Sequence, residues 1–309
     1  MNYKKKGELF VVVSCMGGLG NQIIQYIFGR YLQEKFKCDL LFDTSHFNVK
    51  YNKRNYFQRH TSQCKLNKFN IKKIKFVKKI FILNYLYIYR SLKIFKFLRM
   101  TNLVKNFFFK IKYNNIYFED IDIDFEKKID FINFKPNSFY HGYWQEILNK
   151  KSFIDKIKKE IKPKNFDQKR NKIIQKINNR TVAIHIRGKE NLLKKNRRHN
   201  FLNENYYLKT INFFLKKKNI NFHIFTDDIC YAKKIIYKSK IKKFIFIKNF
   251  LSNSIQEFEI LKNYKYYIIP NSSFSLVPAL LSSKKNKIIL SPNIWLEGKK
   301  NIFRETKKV

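Results

Sequence analysis

The stretch His185-Ile186-Arg187-Gly188-Lys189-Glu190 closes an apolar run that begins at Thr181. Side chains two residues apart on a strand share a face, so His185 and Arg187 point the same way. An arginine at a strand end suits a diphosphate, because its planar fork binds phosphate oxygens bidentately and stays charged. An arginine paired with a structural carboxylate is the alternative. Lys194, Lys195, Arg197 and Arg198 follow as a solvated loop that adds positive potential. Phe225-Thr226-Asp227-Asp228 offers a carboxylate to a nucleobase or a sugar hydroxyl, or an N-cap to the next helix. Two aspartates allow one for each task. Gly17-Gly18-Leu19-Gly20-Asn21-Gln22 reads as a turn opening a helix, where free N–H groups and the helix dipole favour an anion and glycines admit it to the backbone. It is not the dinucleotide fingerprint, since Ile23 stands at the third glycine position. A plain connector reads the same. Asp120, Asp122 and Asp124 alternate with Ile121, Ile123 and Phe125. The pattern fits a divalent-metal DxD motif, and it fits any half-buried edge strand.

Positioning these residues requires a regular frame. Residues 181–187, 222–226, 244–247, 266–269 and 287–290 read as strands. Between them, residues 206–217, 232–237, 255–262 and 276–281 read as helices. Such alternation predicts a parallel sheet covered on both faces. Ligands of such sheets bind at the carboxyl ends of the strands, where His185, Arg187, Asp227, Asp228, Asn271, Ser272 and Ser273 all fall. The first half opens alike, with a strand over 10–13, the glycine turn, a helix from Asn21, and a strand over 38–42. Ile23, Ile24, Ile27, Phe28 and Tyr31 share a face of that helix. From Lys65 to Lys112 basic and bulky apolar residues interleave, predicting one or two amphipathic helices that line an acceptor cleft, lie on an anionic membrane, or simply form a lysine-rich exterior. A lysine-rich connector over about 158–176 places the domain boundary near 170, giving domains 1–170 and 171–309.

The 309 residues carry 66 Lys+Arg against 22 Asp+Glu, a formal charge of +44. Aromatic content of 17% excludes a disordered polybasic tail. The charge suggests nucleic acid, but it is spread along the chain. The 8 Gly and 5 Pro, against about 22 and about 15 in average usage, beside 32 Phe and 19 Tyr, indicate A/T-rich codons. Four scattered cysteines and six histidines show no zinc spacing, so no metal is expected, and reduced thiols fit a cytoplasmic protein. The basic start and short apolar run at the N-terminus read as a first strand, not a signal peptide, and no stretch approaches a membrane span.

Several segments together resemble bacterial α-1,2-fucosyltransferases. GGLGNQIIQYIFGRYL resembles that family's GGLGNQMFQYAFGRAL, and HGYWQEILNKKSF its GYFQSEKYF. HIRGKE stands for HxRRxD, FHIFTDD for its acidic strand end, IIPNSSFSLVPALL for IIANSSFSWWAAWL, and Ser291 to Trp295 for the closing P-x-x-W. The resemblance runs in order from Gly17 to Trp295. It implies an α/β, GT-B-like enzyme with two Rossmann-type halves facing a central cleft. That enzyme would move fucose from GDP-fucose to a galactose 2-hydroxyl in a surface glycan, with inversion, no metal and no cofactor. It implies that Arg187 holds the diphosphate, with His185 near the nucleotide and Asp227 or Asp228 near guanine or ribose. Asn271, Ser272, Ser273 and Ser275 would complete the donor pocket, and Gly17, Gly18, Gly20, Asn21 and Gln22 would edge the cleft. Glu190, in place of the family's Asp, is a candidate general base or a positioning partner for Arg187. Expected partners are a nucleotide-sugar and a glycan acceptor, with peripheral contact to an anionic inner membrane face and no nucleic acid. The alternatives are a related transferase with another donor, or a basic binding protein without turnover. Gly188 departs from the family's second Arg, where Lys189 is a candidate substitute, and Leu276, Val277 and Pro278 depart from its paired Trp.

Overall fold

The computed structural model describes residues 9–47, 63–71, 75–77, 115–119, 128–165, 168–188, 202–247, 254–296 and 299–309. The chain divides into two compact units, Met1–Ile161 and Lys162–Val309, so the division precedes the expected residue 170.

In the first unit, β1 (Phe10–Ser14) is a run of apolar, mostly β-branched residues, as suits a strand covered on both faces. The glycine turn leads into α1 (Leu19–Phe36), whose Ile23, Ile24, Ile27 and Phe28 are fully buried, while Tyr31 is half-buried and edges onto Phe153. The helix ends at Lys37 in the left-handed region (φ 51°), whose N–H bonds back to the Gln33 carbonyl. Then come β2 (Asp39–Asp43), β3 (Lys75–Val77), β4 (Asn115–Phe118), β5 (Ser138–His141) and α2 (Lys151–Ile157). The sheet order is β3-β2-β1-β5-β4, parallel throughout. β3 corrects the expectation of helix from Lys65 onward: a Lys-Phe-Val triplet has no room for helical periodicity, and pairing with β2 covers a sheet edge. The rest of that basic stretch, from 78 to 112, lies outside the described residues. Phe28 stacks on Trp144 at 4.2 Å, and Arg30, 3% exposed, is held bidentately by Glu160 at 2.9 and 3.0 Å.

The second unit contains α3 (Gln168–Gln175), β6 (Thr181–Ile186), α4 (Glu204–Leu215), β7 (Asn221–Thr226), α5 (Ile229–Ser239), β8 (Phe244–Phe246), α6 (Ser254–Leu261), β9 (Tyr266–Ile268), α7 (Ser273–Leu281) and β10 (Ile288–Ser291). The short strands β11 (Ile294–Leu296), β12 (Lys299–Lys300) and β13 (Lys307–Lys308) follow. The six-stranded sheet runs β13-β10-β9-β6-β7-β8, all parallel. One face buries Val182, Ile184 and Ile186 with Ile211 and Phe214 of α4 and Ile235 of α5. On the other face His185 meets Phe274 of α7, and His223 and Phe225 meet Tyr264. β6 is therefore central and buried along its whole length. Two units of this Rossmann type make the protein α/β and GT-B-like. Among the described residues, no helix is long and apolar enough to cross a membrane.

Candidate functional site

From β6 the chain moves outward through β7 and β8, then returns to the opposite side of β6 as β9 and continues through β10 to β13. The reversal lies between β6 and β9. In an open parallel sheet this is where a crevice forms at the carboxyl ends of the strands.

Sequence-expected residues from both sides of the reversal meet there. His185 is 8% exposed, and its Nδ1 lies 2.9 Å from Ser275 Oγ, joining β6 to α7. Burial lowers its pKa to about 4, with Arg187 adding to the lowering and Asp227 opposing it. The ring is neutral at ordinary pH and contributes hydrogen bonds, not charge. Ser275 is fully buried, and its Oγ also reaches the Ser272 carbonyl at 3.3 Å. Ser272, buried, stands at the N-cap of α7, and its carbonyl accepts the N–H groups of Ser275 and Leu276. Ser273 is half-buried in the first turn. Asn271 is buried and donates to the Trp295 carbonyl at 3.2 Å, which ties the turn to β11.

Arg187 is half-buried just past β6, and among the described residues its guanidinium makes no hydrogen bond or ion pair. Its backbone N–H donates to the Tyr207 hydroxyl at 3.3 Å, and the N–H of Gly188 donates to Asp227 Oδ1 at 2.6 Å. Asp228 is the N-cap of α5, accepting the Tyr231 N–H at 2.9 Å, while Asp227 is exposed beside it. A Cβ at position 188 would lie 2.5 Å from Asp228 Cβ. The glycine that departs from the resemblance is thus dictated by its neighbour. Sequence reasoning missed Tyr207, because nothing in a helical spacing tells which tyrosine hydroxyl meets a strand end.

In the first unit, Gly17 takes φ +75°, a conformation glycine adopts without penalty, and Gly18 forms the N-cap of α1 with open space around it. Gly20 is buried in the helix and Asn21 is half-buried. Gln22 is fully buried: its Nε2 donates to the carbonyls of Gly17 and Gln63, and its Oε1 accepts the Lys65 N–H. Its amide clamps loops together. Gln25, absent from the sequence expectations, does likewise, accepting from Met16 N–H at 3.0 Å and donating to the Gly142 carbonyl at 2.9 Å. Lys189, Glu190, Lys194, Lys195, Arg197, Arg198 and the Asp120–Asp124 pattern lie outside the described residues.

A doubly wound α/β protein with an arginine and a helix N-terminus beside its switch point belongs to the class of open-sheet proteins whose ligands bind at the carboxyl ends of the strands. The model of glycosyl transferase family 11 matches residues 10–305, and the chain belongs to that family of glycosyltransferases. An Escherichia coli alpha-1,2-colitosyltransferase is 27% identical over 297 residues, covering 93% of this chain and 92% of that protein. Among solved structures, NodZ α-1,6-fucosyltransferase soaked with GDP-fucose is similar at TM-score 0.47 and 10% identity, covering 91% of this chain and 97% of that one. Fucosyltransferase NodZ from Bradyrhizobium matches at TM-score 0.45 and 10% identity, over 89% and 94% of the two chains.

Proposed function

We propose that this chain transfers fucose from GDP-fucose to the 2-hydroxyl of a galactose residue in a bacterial surface glycan such as a lipopolysaccharide O-antigen, with inversion and without a metal. The observation that carries the reading is the half-buried Arg187 guanidinium at the switch point, free of hydrogen-bonded or ion-paired partners among the described residues. A sugar leaving a diphosphate places negative charge on the phosphate oxygens, and a fixed cation in a dry site stabilises it more than water would. The N-terminus of α7, with the uncharged Ser272 at its N-cap, stands at the same sheet edge and adds positive potential. His185, held neutral by burial and oriented by Ser275, offers hydrogen bonds to the nucleotide without competing for its charge. Asn271, Ser272 and Ser273 line the opposite side of the switch point. Gly17 to Gln22 shape the loop of the first unit assigned to the acceptor side, and Glu190 is the candidate general base for the acceptor hydroxyl. The surplus of lysine supports peripheral contact with an anionic inner membrane face.

A second reading keeps the reaction and changes the sugar. The likeness to an alpha-1,2-colitosyltransferase supports it. Both readings are tested by incubating the chain with GDP-fucose, GDP-colitose and GDP-mannose, a β-galactoside acceptor and a GDP-release assay, with Arg187→Ala alongside. Turnover with GDP-fucose, reduced about 100- to 1000-fold in Arg187→Ala, is expected. Preference for GDP-colitose selects the second reading. Release of no GDP from any donor, or full turnover in Arg187→Ala, overturns both.

A further inference from the structure

Arg187 stands one residue past the end of the β6 ladder, whose last registered pair is Ile186 with Thr226. Strand pairing does not define the backbone from Arg187 onward. Two side-chain acceptors take over, from elements distant in sequence. The Arg187 N–H donates to the Tyr207 hydroxyl of α4 at 3.3 Å, and the Gly188 N–H donates to Asp227 Oδ1 after β7 at 2.6 Å. Tyr207 is held by its ring contact, and Asp227 by a fixed backbone neighbour. Tyr207 is 1% exposed and sits edge-on to Tyr206 at 5.3 Å, and the Tyr206 hydroxyl donates to the Ile269 carbonyl at 2.6 Å. Asp227 precedes the N-cap Asp228, which is fixed by the Tyr231 N–H and by bonds of its own backbone with Thr226 Oγ1. The turn at Gly188 lies so close to Asp228 that a Cβ there would meet Asp228 Cβ at 2.5 Å.

Taking the diphosphate reading of Arg187 as its basis, we infer that Tyr207 and Asp227 are positioning residues. They clamp the backbone on both sides of the Arg187 carbonyl and aim its guanidinium at the β-phosphate. Asp227 acts through the Gly188 peptide, not by touching guanine or ribose. The clamp concerns only the ligand group that Arg187 meets, so it separates GDP from GMP, which lacks the β-phosphate.

Titration calorimetry with GDP and GMP tests this on the full chain and on Arg187→Ala, Tyr207→Phe, Asp227→Ala and Asp227→Asn. Tyr207→Phe and Asp227→Ala are expected to weaken GDP binding about fivefold, the worth of one lost hydrogen bond, and to leave GMP binding unchanged. Asp227→Asn keeps an Oδ1 acceptor for Gly188 and restores the wild-type GDP affinity. Should Tyr207→Phe unfold, the Asp227→Ala and Asp227→Asn pair decides alone. Equal loss of GDP and GMP in both Asp227 variants would mean direct contact with the nucleoside and overturns the inference. A wild-type GDP-to-GMP ratio kept in Tyr207→Phe or in Asp227→Ala overturns it too. If the wild-type chain itself does not prefer GDP over GMP, the reading of Arg187 fails first and the clamp falls with it.

Discussion

Acidification from pH 6 to pH 5 should lower the stability of the second unit, through two histidines buried in a neutral state. His185 and His223 are 8% and 4% exposed, and burial lowers both to about 4, with Lys176 also repelling a charged His223. In the unfolded chain each titrates near its ordinary value of about 6.5. Between those values the unfolded state carries more protons than the native one, so stability falls as pH drops from about 6.5 toward about 4 and is fully present above that window. Averaged over pH 6 to 5, each ring accounts for about 0.8 of a proton, so the pair costs roughly 2 kcal/mol over that step. The tryptophans make the assay specific: Trp144 is buried in the first unit and Trp295 in the second, and the chain has only these two. In a Trp144→Phe background, urea unfolding followed by Trp295 fluorescence reports on the unit that holds both histidines. Replacing His223 by Asn should remove about half of the pH dependence, and replacing both by Asn nearly all of it. An unfolding free energy that is flat between pH 6 and 5, or a slope that survives the double substitution, would refute the argument that these rings are buried neutral.

Two further perturbations follow from close packing. Gly188→Ala should cost about 1–3 kcal/mol, because its Cβ meets Asp228 Cβ at 2.5 Å. Gly188→Arg, which restores the residue of the resemblance, should lower stability at least as much and raise no activity; a melting temperature equal to wild type in either variant would show that the turn yields. Gln25→Leu leaves the buried Met16 N–H and the Gly142 carbonyl without their partner and should cost about 2–4 kcal/mol in denaturant unfolding of the first unit. A cost within about 0.5 kcal/mol would mean that water or a shifted loop satisfies both groups.

Much of the second unit was legible in the sequence because its strands are short apolar runs, separated at regular distance by helices with one apolar face. The six residues of β6 and those of β7 match the expected segments to within one position at either end. The polar ends of those strands could be recognised for the same reason: Arg187, Asp227 and Asp228 each end an apolar run where a buried strand surfaces, and His185 is the polar residue within one. The segment from Lys65 was misread at Lys75–Val77, since interleaved lysine and bulky apolar residues satisfy helical and extended periodicity alike over so few positions. The edge strand β13 escaped notice because Lys307 and Lys308 pair through their backbone with Leu290 and Ser291, and a lysine pair has no apolar signature.

Local spacing, then, determined which residues cluster at strand ends and that one of them is an arginine suited to phosphate. It did not determine which strands are neighbours. That β9 lies against β6, bringing Ser275 to His185, depends on where the chain reverses, which is set by packing across the whole sheet. The same holds for the choice of acceptors at Arg187 and Gly188. A hydroxyl twenty residues downstream and a carboxylate beyond the next strand become partners only when α4 and β7 close on β6. Hydrogen bonds between elements carry no periodicity, so only the folded chain reveals them.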